Sequence, residues 1–215
     1  MTLVAVGDSI VHADDSWAAW LARAMGRPLQ RVSANGARAD DVLQQLSAVP
    51  GERYAVACLS VGTNDVLFDW DAGLFARRLG EIAAVLRARA DRVVVPTVSL
   101  SLARFRGGGT EFRRRVGEAN AALVASGLVV IAGDDLGGPR LQQPDRIHPT
   151  AAGQLLLADR AAAALGVATV PSSLTVRPRE AGRWTYHRVG VGQAPRRAVK
   201  RALGRPMYQD PRRSG

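Results

Sequence analysis

Ser9, Asn64, Asp145 and His148 are the residues of this 215-residue chain whose types can attack and open an acyl bond together. A serine hydroxyl is a weak nucleophile until a neighbouring base takes its proton. His148 can be that base, because a neutral imidazole accepts a proton and later returns it to the leaving group. Asp145 lies three residues earlier, close enough on a tight turn to accept from the other ring nitrogen and hold the useful tautomer. The oxyanion formed by the attack needs donors already in place. The backbone N–H groups of Ser9 and Gly36 and the side-chain amide of Asn64 can supply them. Gly36 has no Cβ to keep a substrate away from its backbone.

These residues sit in four short segments far apart in the chain: Gly7-Asp8-Ser9-Ile10, Asn35-Gly36-Ala37, Gly62-Thr63-Asn64-Asp65 and Asp145-Arg146-Ile147-His148-Pro149. Each follows a predicted strand. Apolar runs place strands at 2–6, 29–32, 54–61, 92–98 and 128–132. Between them, helical spacing recurs in Trp17, Trp20, Leu21 and Ala24, over 39–46, in Phe75, Leu79, Ile82 and Leu86, and in Phe112, Val116, Ala119 and Leu123. Pro149 is expected to open a last helix that Gly166 caps. Five strands alternating with helices predict a parallel sheet with helices on both faces. In such a sheet the carboxyl ends of the strands share one edge, where ligands bind. That edge gathers the four segments.

Gly7-Asp8-Ser9, Gly36, Gly62-Thr63-Asn64-Asp65 and Asp145-Arg146-Ile147-His148 resemble, in order and spacing, the four blocks of the SGNH (or GDSL) hydrolase family. The resemblance covers roughly residues 2–166. It implies a flavodoxin-like three-layer α/β/α sandwich on a five-stranded parallel sheet. It also implies Ser9 as nucleophile, His148 as base, Asp145 as orienting acid, and an oxyanion hole from Ser9, Gly36 and Asn64. The implied activity is hydrolysis of esters, thioesters or acyl groups on lipids or sugars, with no metal or cofactor. Two positions depart from the usual pattern. Ile10 stands where the family usually has Leu, and Ala34-Asn35 precede the glycine where another small polar residue is common.

Other readings compete for the same residues. Asp8, Ser9, Asn64 or Asp65 could cap helices, and Asn35-Gly36 could be an ordinary turn. His12 is a rival base three residues after Ser9, or a metal ligand with Asp14 and Asp15. Phe68 and Trp70 either line the substrate pocket or anchor the following helix. Residues 104–109 make a glycine-rich loop, and Arg113-Arg114-Arg115 a solvated helix face. An acyltransferase would use the same triad, with an alcohol in place of water.

Charge divides the chain in two. Residues 1–167 hold 18 arginines against 17 acidic residues, whereas residues 168–215 hold ten arginines and Lys200 against Glu180 and Asp210. The formal net charge of +10 is therefore concentrated in a basic C-terminal extension. There Trp184, Tyr186 and His187 interleave with Arg183 and Arg188, around an expected hairpin and a short helix near 198–203. Such a composition allows weak contact with an anionic surface, and a non-catalytic protein working through it is the rival from outside enzymology. No nucleic-acid module is recognisable, so no nucleic-acid partner is expected. A single cysteine, Cys58, excludes an internal disulfide and reads as a core residue. No apolar run approaches the roughly 18 residues of a membrane span, and no signal-like start is seen; the expectation is a soluble cytoplasmic domain over 1–167.

Overall fold

The computed structural model describes residues 1–50, 53–101 and 109–175. Five strands, β1 (Leu3–Gly7), β2 (Leu29–Ser33), β3 (Tyr54–Ser60), β4 (Ala90–Pro96) and β5 (Val129–Ile131), form one sheet in the order β2-β1-β3-β4-β5. Every pairing is parallel. Central strands of such a sheet are covered on both faces, so they are apolar throughout rather than alternating. All five residues of β1 are buried accordingly.

Alternate residues feed two cores. Val4 and Val6 of β1 join Ala57 and Leu59 of β3 on one face, under helices α3 (Ala39–Ser47), α5 (Ala72–Arg89) and α6 (Gly109–Ala125). Leu3, Ala5, Val56 and Cys58 face the other way, under α2 (Trp17–Ala24) and α8 (Ala151–Leu165). The helices present the stripes their spacing predicts: Phe75, Leu79, Ile82 and Leu86 from α5, and Phe112, Val116, Ala119 and Leu123 from α6. The architecture is the expected three-layer α/β/α sandwich.

Three differences concern the ends of elements. The last helix does not open at Pro149, which bridges to Gln142; it opens at Ala151, where the Thr150 hydroxyl accepts from the Gly153 N–H at 3.1 Å. Gly166 does end it, in the left-handed conformation. β4 begins two residues before the expected 92, because buried Ala90 pairs with Tyr54. Helices α1 (Ser9–His12), α4 (Thr63–Leu67) and α7 (Gly138–Leu141) are too short to display a helical period.

The strand order reverses between β1 and β3, where a crevice opens at the carboxyl edge. Gly7 and Ser60 end these two strands in register. Beyond α8 a 3₁₀ turn, Pro171–Leu174, is tied back by the Ser172 N–H to Asp159 Oδ1 at 2.8 Å. The expected hairpin, the helix near 198–203 and the aromatic residues Trp184, Tyr186 and His187 lie outside the described residues, as does most of the 104–109 loop. No helix among the described residues is long and apolar enough to cross a membrane.

Candidate active site

β1 ends in a turn that only glycine allows. Gly7 has φ 134°, and a Cβ there would lie 2.0 Å from the Ser60 carbonyl oxygen. Asp8 then caps α1, its Oδ1 accepting from the Ile10 N–H at 3.0 Å and from the Ser60 hydroxyl at 2.7 Å. Ser9 is the first residue of that helix, so its N–H has no acceptor inside it. Two glutamines from opposite helical layers hold the segment. Gln45 of α3 accepts from the Gly7 N–H at 2.9 Å and donates to the Gly7 carbonyl at 3.1 Å. Gln154 of α8 accepts from the Trp17 N–H at 2.8 Å and donates to the Ile10 carbonyl at 3.2 Å.

The histidine arrives on the loop before α8. Asp145 Oδ1 accepts from the Ile147 and His148 N–H groups at 2.9 and 3.0 Å, folding the carboxylate over its own loop. Asp145 Oδ2 lies 2.6 Å from His148 Nδ1, and His148 Nε2 lies 2.8 Å from Ser9 Oγ. A carboxylate can only accept, so Nδ1 carries the ring proton and Nε2 is left to accept from the serine hydroxyl. Ser101 steadies the loop by donating to the Arg146 carbonyl at 3.0 Å, and Gln143 donates its N–H to the His148 carbonyl at 2.8 Å.

Electrostatics follow from these contacts. The Asp145 hydrogen bond, opposed by burial and aided by the charges of Asp145 and Asp8, raises the His148 pKa above its usual value. Burial pushes Asp145 up, but the hydrogen bonds from the His148 ring and the two N–H groups outweigh it and hold the carboxyl below its usual range. Asp8 is fully buried with Oδ2 unpartnered, and desolvation pushes its carboxyl up despite the Ser60 and Ile10 bonds.

The second and third segments meet each other. Asn64, buried in α4, donates one amide hydrogen to the Ala37 carbonyl at 3.0 Å. A side-chain amide carries two donors, so one remains for a ligand. Gly36 has φ 75° in the turn closed by the Ala37 N–H to the Ala34 carbonyl, and its own N–H meets no acceptor among the described residues. The Ala34 N–H bonds the Gly7 carbonyl at 3.0 Å, which joins this turn to the nucleophile segment. Gly62, not Asn64 or Asp65, occupies the cap position of α4.

The competing assignments separate on geometry. His12 Nδ1 lies 3.0 Å from the Ser33 carbonyl oxygen, while His148 Nε2 bonds Ser9 Oγ and Asp14 pairs with Arg31. Trp70 donates to Glu118 Oε2 at 2.8 Å and stacks at a tilt on Phe75, with ring centroids 5.3 Å apart, so it anchors α5 to α6. Both Phe68 and Trp70 also line a groove beside Asp65. Arg114 and Arg115 pair with Glu111 on an exposed helix face. Cys58 is fully buried, and desolvation raises its pKa, which suits an inert core thiol. Gln45, Gln154 and Ser60 are site residues that motif reasoning missed. A signal existed for the glutamines: Gln154 shares the buried stripe of Ala158 and Ala161, and Gln45 that of Val42 and Val49.

A cavity of about 20 Å³ is walled by Ile10 and Ile147, the chain neighbours of Ser9 and His148, and by Val61, Thr63, Val98 and Leu136 among others.

The model of the GDSL-like Lipase/Acylhydrolase family matches residues 5–156. No curated protein sequence matches the chain. Among solved structures, a member of the lipolytic protein G-D-S-L family from Veillonella parvula DSM 2008 superposes with a TM-score of 0.60 at 17% identity, over 75% of this chain and 96% of that one. The psychrotrophic esterase EstA from Pseudoalteromonas sp., in a structure inhibited by monoethylphosphonate, gives a TM-score of 0.57 at 16% identity, over 77% and 96%. An extracellular lipase from Streptomyces rimosus gives 0.55 at 21% identity, over 79% and 100%. At these identities the likeness is one of fold.

Proposed function

The chain belongs to the GDSL-like lipase/acylhydrolase family and is an enzyme of that esterase and acyl-hydrolase type, and from that premise we propose that it is a serine hydrolase working through an acyl-enzyme. The observation that carries the reading is the relay from Asp145 Oδ2 through His148 to Ser9 Oγ, at 2.6 and 2.8 Å. Its three members come from the two ends of the matched region.

Ser9 attacks the carbonyl carbon as His148 Nε2 takes the hydroxyl proton, and Asp145 stabilises the imidazolium. The Ser9 and Gly36 N–H groups and the Asn64 amide hold the oxyanion. Collapse releases the alcohol, protonated by His148, and leaves Ser9 acylated. Water, deprotonated by His148, then attacks the ester, and Ser9 leaves as acid is released. No metal or cofactor takes part in this sequence.

The substrates of this reading are small-molecule esters or lipid and sugar esters.

The test is a p-nitrophenyl ester series from acetate to palmitate with labelling by a phosphonate. Ser9→Ala and His148→Ala should each lose at least about 1,000-fold in turnover with the fold intact, and Ser9→Ala should take up no label. Asn64→Ala should lower kcat by about 100-fold with KM little changed, since its donor acts on the oxyanion. The preferred chain length in the series sizes the acyl pocket. Ser9-independent turnover, or a folded wild-type protein that neither turns over nor labels, refutes the reading.

A further inference from the structure

Asp65 is a half-buried carboxyl with no part in the relay. Its Oδ1 accepts from the Ala39 N–H at 3.0 Å, and its Oδ2 is buried without a partner. Ala39 is the first residue of α3, so its N–H has no acceptor within the helix, and Asp65 supplies one across 26 residues of sequence. The adjacent Asn64 donates to the Ala37 carbonyl. The two side chains thus grip the segment 37–39 by a carbonyl and an N–H, two residues apart. That segment continues directly from Gly36. Between them they set the spacing of the last two donors of the proposed oxyanion hole.

We propose that Asp65 is a positioning residue for oxyanion stabilisation, holding the Gly36 turn at a fixed distance from the Asn64 amide. The inference rests on the hydrolase reading for its catalytic consequence, but not for the contact itself. Asp65 is half-buried with an orphan oxygen, an arrangement that costs stability. Desolvation, with a smaller contribution from Asp8, pushes its carboxyl up to about 6 against the favourable Ala39 bond. The charged groups around it are largely engaged with one another. Arg38 lies 3.7 Å from Asp69, Arg78 pairs with Asp40 at 2.6 Å, and Asp71 caps α5. Asp8 is held by Ser60 and Ile10. None of them neutralises Asp65 directly. Protonation near pH 6 therefore weakens the acceptor for Ala39 and loosens the turn.

The contact is read first without turnover, by following the Ala39 amide proton through a pH titration of the full chain by NMR. It should shift with a midpoint near 6 in the wild type, and that titration should be absent in Asp65→Asn. Kinetically, Asp65→Ala should lower kcat 10- to 100-fold with KM within about twofold. Asp65→Asn keeps an acceptor oxygen and should recover activity to within about threefold at pH 8. Protonated Asp65 and Asn both keep a neutral acceptor oxygen, so kcat/KM of the wild type and of Asp65→Asn should fall along parallel acid limbs set by His148, their ratio moving by no more than about threefold across pH 6. An Ala39 amide that does not titrate, an Asp65→Ala enzyme with unchanged kcat, or an Asn variant no better than Ala overturns the proposal. If Asp65→Ala does not fold, the Ala39 titration in the wild type and its absence in Asp65→Asn decide it alone. Loss of Ser9-dependent turnover in the wild type refutes the hydrolase reading, while the amide titration still decides the contact independently.

Discussion

His148 carries a proton at low pH and cannot then accept one from Ser9. Its raised pKa, caused first by the Asp145 hydrogen bond, places the acid limb of activity above the ordinary histidine value of about 6.5. Activity should rise as pH climbs through that folded value. Stability runs in the opposite sense. A histidine whose folded pKa is raised binds its proton more tightly in the native state, so the charged Asp145–His148 pair stabilises the fold fully below pH 6.5 and loses that contribution as pH rises through the folded pKa. Asp145→Asn should remove both effects, moving the acid limb of kcat/KM downward while cutting turnover by about 10⁴-fold, because the amide favours the wrong ring tautomer. A pH–rate profile and thermal melts at pH 5 and pH 9 check the two signs separately. Asp145 and His148 are legible as a pair because they stand three positions apart, and their geometry is almost entirely local. Asp8 is legible as a cap for the same reason.

At the scale of elements, helix α8 decides where His148 stands. Gly153 lies in its first turn, and a Cβ there would sit 2.2 Å from the Leu141 carbonyl oxygen and 3.0 Å from Pro149 Cβ. Helix propensity alone favours Ala over Gly by about 0.8–1.0 kcal/mol. The clash with the last carbonyl of α7, where the histidine's loop begins, reverses the sign. Gly153→Ala is expected to destabilise the protein by about 1–3 kcal/mol by urea denaturation, and to lower kcat with it. A more stable variant would show that the loop yields easily. The same helix carries Gln154, whose bonds reach Ile10 and Trp17 more than 130 residues earlier. A polar residue on an apolar stripe announces that it has a buried partner. It does not say which one, because the partner depends on how α2 and α8 pack side by side.

At the scale of the molecule, strand order places β1 beside β3, so the segments that carry Ser9 and Asn64 leave neighbouring strands where the sheet reverses. The buried residues of both cores named above, and every residue placed in the site, lie within residues 1–175. A protein truncated after Thr175 should keep its melting temperature within a few degrees and its ester turnover within about twofold. Loss of turnover on truncation would move the basic extension, with its ten arginines and Lys200, into the machinery. The full chain should bind anionic vesicles more tightly than the truncated one, and the difference should fade with salt as surface charges are screened.

Local pattern was enough to establish the layered α/β class, to place the strands within a residue or two, and to group one serine, one histidine and one aspartate into a single chemistry. These rest on short-range physics: apolar period, turn residues, and a motif whose acid and base are three residues apart. It took the folded chain to show that His148 rather than His12 faces Ser9, that Trp70 anchors helices through Glu118, that Gln45 and Gln154 hold the nucleophile turn, and that Asp65 reaches Ala39. Each of those contacts joins residues 20 or more positions apart. Their distances follow from the order of the strands and the packing of helices across the sheet, which no local pattern encodes.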